Sequence, residues 1–184
     1  MSVVKCARRL FLLMIFVIGH LHVPAQSNSS REYQMKAAFL FNFAQFVEWP
    51  TTSFPSDNAP LVIGILGDDP FGTYLEKNIR GERVQGHQLK IVHFNDVSEV
   101  ADCHILFINL KRSDSLTNAL EKLKTKNILT VGESPGFIRQ GGMIRFVTDE
   151  NKIRLQINPD AAKRADITIS ARLLKLAEII VTKQ

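Results

Sequence analysis

Apolar side chains crowd one stretch of this chain more than any other: M-K-A-A-F-L-F-N-F-A-Q-F-V-E-W-P, from Met35 to Pro50. Only Lys36, Asn42, Gln45 and Glu48 are polar in it. Phe39, Phe43 and Val47 recur at i, i+4 and i+8, and Leu40, Ala44 and Phe46 broaden that face. The pattern predicts a helix that Pro50 stops. A helix apolar on most of its circumference needs cover, so the rest of the domain is expected to wrap it. The alternative is that part of it stays bare as a partner-binding face.

Downstream the period changes. Leu61 to Leu66, Leu89 to Phe94, Ile105 to Ile108 and Ile128 to Val131 are short apolar, β-branched runs that read as buried strands. Between them, Pro70 to Arg80 and Leu116 to Lys124 read as helices, and Asn95 to Asp102 as a short turn or helix. Strands alternating with helices predict an α/β fold: a doubly wound, mostly parallel sheet with helices on both faces. Then Met143 to Thr148 and Lys152 to Asn158 read as alternating strands around Asp149-Glu150-Asn151, which predicts an antiparallel C-terminal hairpin at one sheet edge. Pro159 to Ala165 fits a helical turn. Ile167 to Val181 is expected to close the chain as a helix capped by Ser170, with Leu173, Leu174, Ala177 and Ile180 inward.

The first 25 residues carry a different pattern. Lys5, Arg8 and Arg9 precede an unbroken apolar run from Leu10 to Ile18, and Val23-Pro24-Ala25 places small residues before Gln26. The run is well short of the roughly 20 residues that span a bilayer. Residues 1–25 therefore read as a cleaved secretory signal, cut between Ala25 and Gln26, with an uncleaved anchor as the rival. Residues 26–32 are expected to be a flexible tether and 33–184 a single α/β domain. Without the signal, 159 residues remain, and the formal charge falls from +5 to +2. That charge, interspersed, carries no nucleic-acid footprint. Cys6 leaves with the signal, so Cys103 stands alone and cannot form an internal disulfide. It is expected as a buried free thiol, an intermolecular or redox-sensing role being the alternative.

Ligands of doubly wound sheets sit outside the carboxyl ends of the strands. Here those ends carry Gly67-Asp68-Asp69, Asn109 and Gly132-Glu133-Ser134. Asp68, Asp69, Asn109, Glu133 and Ser134 are thus the candidate ligand or partner region. Paired carboxylates suit metal or acid–base work, but Asp68-Asp69-Pro70 equally suits capping of the following helix. No phosphate-binding glycine pattern occurs, and His87, His93 and His104 lack zinc-site spacing, so neither cofactor nor metal is expected. Gly132 to Gly136 matches G-x-S-x-G formally. No histidine follows His104, however, and Pro135-Gly136 does not open a helix, so a hydrolase is not expected. On residues alone the chain is an exported binding protein, not an enzyme.

Six segments, in order, resemble the YfiR/HmsC-like family of small periplasmic proteins. They are the Met35 stretch, I-G-I-L-G-D-D-P-F-G at Ile63 to Gly72, L-T-V-G-E-S-P-G-F at Leu129 to Phe137, G-G-M-I-R-F at Gly141 to Phe146, I-N-P-D-A-A at Ile157 to Ala162, and I-S-A-R-L-L-K-L-A at Ile169 to Ala177. The resemblance implies a periplasmic, non-enzymatic repressor of an inner-membrane diguanylate cyclase (YfiN-like), sequestered by an outer-membrane lipoprotein (YfiB-like) and acting on biofilm and exopolysaccharide output. A homodimer is a further expectation. Relatives can carry disulfides tied to regulation; this chain lacks the cysteines for them. The alternative is a periplasmic sensor of a small apolar or aromatic ligand, with Phe39, Phe43, Trp49 or Phe71 lining its pocket.

Overall fold

In the computed structural model, residues 28–150 and 152–181 are described. The signal segment and the Ala25–Gln26 junction lie outside them.

The apolar stretch is the C-terminal part of α1, Asn28–Phe46. Ala37, Leu40, Phe43 and Ala44 are fully buried, while Phe39, Phe41 and Phe46 pack half-buried against the same core. Phe43 stacks on Phe146 with ring centroids 5.9 Å apart, and Phe39 sits 6.0 Å from the same ring. α1 also takes in residues 28–32 of the stretch expected to be a tether. That polar first segment is held by tertiary contacts that hydrophobic periodicity does not report, among them Ser30 Oγ to Tyr74 Oη at 2.7 Å. The helix ends at Phe46 because Val47–Glu48 (β1) pairs antiparallel with Thr168–Ile169 (β9).

β2 (Leu61–Gly67), β4 (His87–Phe94), β5 (Ile105–Asn109), β6 (Leu129–Gly132) and β7 (Ile144–Asp149) form a parallel sheet in the order β4-β2-β5-β6-β7. Numbered by first appearance in the chain, that is second, first, third, fourth, fifth, the other common doubly wound order. β3 (Arg83–Val84) joins β4 through Gln85-Gly86, both at positive φ (52° and 90°), as a tight hairpin requires. β8 (Lys152–Ile157) pairs antiparallel with β7, forming the expected hairpin.

Helices cover both faces, unequally. α1, α2 (Thr73–Ile79), α4 (Pro159–Arg164) and α5 (Ala171–Leu174) bury one face around Ile63, Ile65, Phe107, Val131 and Phe146. On the other face, among the described residues, only α3 (Ser113–Leu123) is a full helix, burying Leu116, Ala119, Leu120 and Leu123 against Leu66, Leu106 and Ile108.

The expected closing helix over Ile167–Val181 does not form. Ser170 does cap a helix, its Oγ accepting from Leu173 N at 3.4 Å, but α5 makes a single turn. The chain then becomes β10 (Ala177–Ile179), parallel to β8 and outermost at that edge. The free backbone edge of β8 supplies ladder partners that a lone surface helix would forgo, and such long-range pairing leaves no mark in local periodicity.

Candidate functional site

The candidate residues at the strand ends do not converge. Asp68, Asp69 and Asn109 meet where the strand order reverses, between β2 and β5. Gly67 has φ +90°, and a Cβ on it would stand 2.4 Å from the Asn109 carbonyl oxygen. Asn109 Nδ2 donates to the Asp68 carbonyl at 2.9 Å, tying the two strand ends together. The carboxylates diverge. Asp68 pairs at the surface with Lys111 Nζ at 2.9 Å. Asp69 Oδ1 accepts from Phe71 N at 2.8 Å, and Oδ2 lies 2.9 Å from His93 Nε2. Asp69 therefore organises the turn into α2.

Glu133 goes elsewhere, into a buried ionic cluster beneath α1. Lys36 is 1% exposed although it is a lysine, and its Nζ contacts the carboxylates of both Glu32 and Glu133. Tyr33 Oη donates to Glu133 at 3.1 Å, and Thr148 Oγ1 donates to Glu32 at 2.6 Å. The ammonium also lies 4.8 Å from the Tyr33 ring centroid. Burial and the Glu133 charge push the Tyr33 hydroxyl up to about 12. Burial pulls the Glu32 carboxyl upward, but the bonds from Lys36 and Thr148 outweigh it and hold the group below its ordinary value. The cluster pins the first half of α1 to the ends of β6 and β7. Its sequence signal is a lone lysine in an apolar helix with a glutamate four residues earlier.

Ser134 belongs to packing. Its carbonyl accepts from Phe137 N at 3.1 Å in a run of turns, and no helix follows. The Phe137 ring fills the space between Gly132 and Gly142, where added Cβ atoms would stand 2.4 and 2.2 Å from it. G-E-S-P-G-F and the downstream G-G are thus one motif for seating a phenylalanine, and the strand–turn–helix of a nucleophile elbow is not built. Cys103 is a buried free thiol against Gly64, pushed up to about 12 by burial. Phe43, Phe71 and Trp49, pocket walls only under the alternative ligand-sensor reading, are core, Phe71 packing edge-on to Phe107 at 4.7 Å.

Two grooves lie on the second face, on either side of α3. One groove, of about 320 Å³, runs between the 135–139 turns and the β7-β8-β10 strands. Arg145 crosses its floor, donating to Gln156 Oε1 at 3.1 Å and to the Glu133 carbonyl at 3.3 Å; Gln156 in turn donates to Glu178 at 2.9 Å. Arg139, Ile138 and Ile180 complete it. Beside it, β10 is the edge strand among the described residues, and exposed apolar side chains lie on it and on either side of it: Leu176 72%, Ile179 43% and Val181 66%. Sequence reading placed Ala177 and Ile180 inside a helix and so missed this edge.

A second groove, of about 280 Å³, lies over β2 and β4. At its base is His104, 1% exposed. Its ring stacks on Phe54 at 4.3 Å, and Phe54 stacks in turn on His87 at 3.9 Å. Val62 N donates to His104 Nδ1 at 3.1 Å, so the neutral ring carries its proton on Nε2. That atom is buried. Burial holds the imidazole down to about 4; the Ser53 backbone pulls the other way, and the His87 charge adds to the lowering.

Among the described residues, no group of three or more His, Cys, Asp or Glu is placed to hold a metal ion, and no helix is long and apolar enough to cross a membrane. A family model described as YfiR/HmsC-like matches residues 33–178. No curated protein matches the chain.

Proposed function

Because this chain belongs to the YfiR/HmsC-like family of periplasmic regulators of cyclic-di-GMP signalling, we propose that it is a repressor that binds the periplasmic portion of an inner-membrane diguanylate cyclase. It lowers cyclic-di-GMP output by binding and not by catalysis. The observation that carries this reading is the family match over most of the chain. The β10 edge, outermost among the described residues, and its neighbouring groove support it, as a surface with the character of a protein-binding site: exposed apolar side chains, edge-strand backbone and arginines at the rim.

Repression of this kind is a population shift. The protein must bind the inactive cyclase conformation more tightly than the active one. Moving a cyclase from 1:99 to 99:1 takes about 5.5 kcal/mol of differential affinity. An outer-membrane lipoprotein that competes for the same surface would release the cyclase, and export by a cleaved signal would place the repressor where both partners meet it.

The test is titration of the purified exported chain against the periplasmic domains of the diguanylate cyclases encoded by its source. One domain should bind saturably, and Ile179→Lys should weaken that binding at least tenfold. Failure of every such domain to bind contradicts the reading.

A further inference from the structure

His104 is held where only its neutral form fits. It stands just before β5, and its backbone belongs to the sheet. Its N–H donates to the Val62 carbonyl at 3.0 Å, and its carbonyl accepts from Leu129 N at 2.8 Å and from Trp49 Nε1 at 3.1 Å. The ring is as constrained. Nδ1 accepts from Val62 N at 3.1 Å, and Nε2 is buried beside the Ser53 backbone. An imidazolium donates from both nitrogens. Protonation therefore sets one N–H against another at Val62. Turning the ring over in its slot does not relieve this, because either nitrogen then carries a proton. The charged ring has to leave the slot while its backbone stays in the ladder.

Phe54 stands in the way, as the plug of the 51–60 loop. It lies between two imidazoles, its ring centre 4.3 Å from that of His104 and 3.9 Å from that of His87. The loop has shallow roots. Within 51–60 only Ala59 is buried, and His87 Nδ1 lies 2.7 Å from the Ala59 carbonyl. The bonds from Ser53 N to Pro50 O, Phe54 N to Thr51 O and Ala59 N to Ser56 O are turns of the loop itself. A segment with so few buried contacts opens at low cost while the sheet stays folded. The charges around His104 do not rescue the cation. Burial disfavours it most; the Ser53 backbone favours it, the His87 charge across Phe54 opposes it, and Asp102 favours it least. Lys90 is a further cation in the same groove lining, and Asp57 is the one charged residue of the loop.

We propose that the 51–60 loop is an acid-released flap, latched by neutral His104 and opened when that ring is protonated. Pro55, Ala59 and Pro60 form one wall of the groove over Val62, Val92 and Phe94, so release of the flap reshapes that groove. The shut form holds the imidazole near 4, and the open form returns it to water and to its ordinary 6.5. Acid thus favours the open form from about pH 6.5 downward, by up to about 300-fold at pH 4 and below. The device is separate from the β10 edge and does not depend on the cyclase-repressor reading.

The experiment follows acrylamide quenching of Trp49, the sole tryptophan, in the exported chain as the pH is lowered, with far-UV circular dichroism on the same samples. Quenching is expected to rise at least twofold in one reversible step between pH 6.5 and 4, with the dichroism unchanged. His104→Gln, whose amide accepts from Val62 N and donates towards Ser53 in one uncharged form, should remove the step. Phe54→Ala should show the high quenching already at pH 7 and no step, and it keeps the test open should His104→Gln not fold. A flat profile of the unmodified chain overturns the proposal. So does a step that coincides with loss of dichroism, or one that persists in either variant.

Discussion

The two faces of the sheet are built from the same strands and finished differently. On the first face, α1, α2, α4 and α5 cover the apolar side chains, and Phe39, Phe43 and Phe146 pack as a continuous aromatic layer. On the second, α3 stands alone among the described residues, because the β4-to-β5 and β6-to-β7 crossovers contain turns where helices would lie. Both grooves fall on that face, flanking α3. The difference shows where this fold leaves concave surface: beside the shortened crossovers of the second face.

The comparison is broken most forcefully at its core. Phe43→Ala should cost about 3–5 kcal/mol, as truncations of buried aromatics do, whereas Val92→Ala on the open groove floor should cost under about 1 kcal/mol. Chemical denaturation of both variants checks the contrast, and equal costs would erase the distinction between the faces.

Acid tests the base of the β2–β4 groove. The His104 imidazole titrates near 4 in the folded chain and near its ordinary 6.5 when unfolded. The unfolded state therefore binds the extra proton first. Stability from this group is fully present above about pH 6.5 and is lost as pH falls towards 4, by about 3 kcal/mol in all. His104→Gln should flatten that part of the stability–pH curve while leaving the region above pH 7 sloped as before.

The ionic cluster sharpens the first face. Lys36→Met leaves Glu32 and Glu133 facing each other without their cation, and should cost about 2 kcal/mol, less than a fully buried pair because both carboxylates are partly exposed. Adding Glu133→Gln should recover more than half of it, as thermal melts of the single and double variants would show. The smallest effect on stability belongs to the edge: Ile179→Lys should change it by less than about 0.5 kcal/mol, while the same substitution removes partner binding.

Much of this architecture was legible in the chain. β2, β5 and β6 announce themselves because strands buried on both faces are apolar at nearly every position, and the hairpin because β7 and β8 alternate. β10 was not, since Ala177 to Ile180 fits a helical face as well as a strand and only the distant β8 edge decides. The candidate residues were legible as strand-end residues but not in their roles. Asp69 sets a turn, Glu133 neutralises a buried lysine, and Ser134 closes a turn around Phe137. Which polar group faces which is fixed by packing between elements far apart in sequence. Lys36, His104 and Arg145 acquire their surroundings only when α1, the 51–60 loop and the C-terminal strands meet the sheet.

The central claim is that this protein restrains a cyclase from the periplasm. Intracellular cyclic-di-GMP, measured in the native host with and without the gene, tests it most directly. The account predicts a rise on deletion, reversed by the full exported chain but not by a version lacking residues 1–25 or by Ile179→Lys. An unchanged level on deletion, or rescue by the version that lacks residues 1–25, would contradict it.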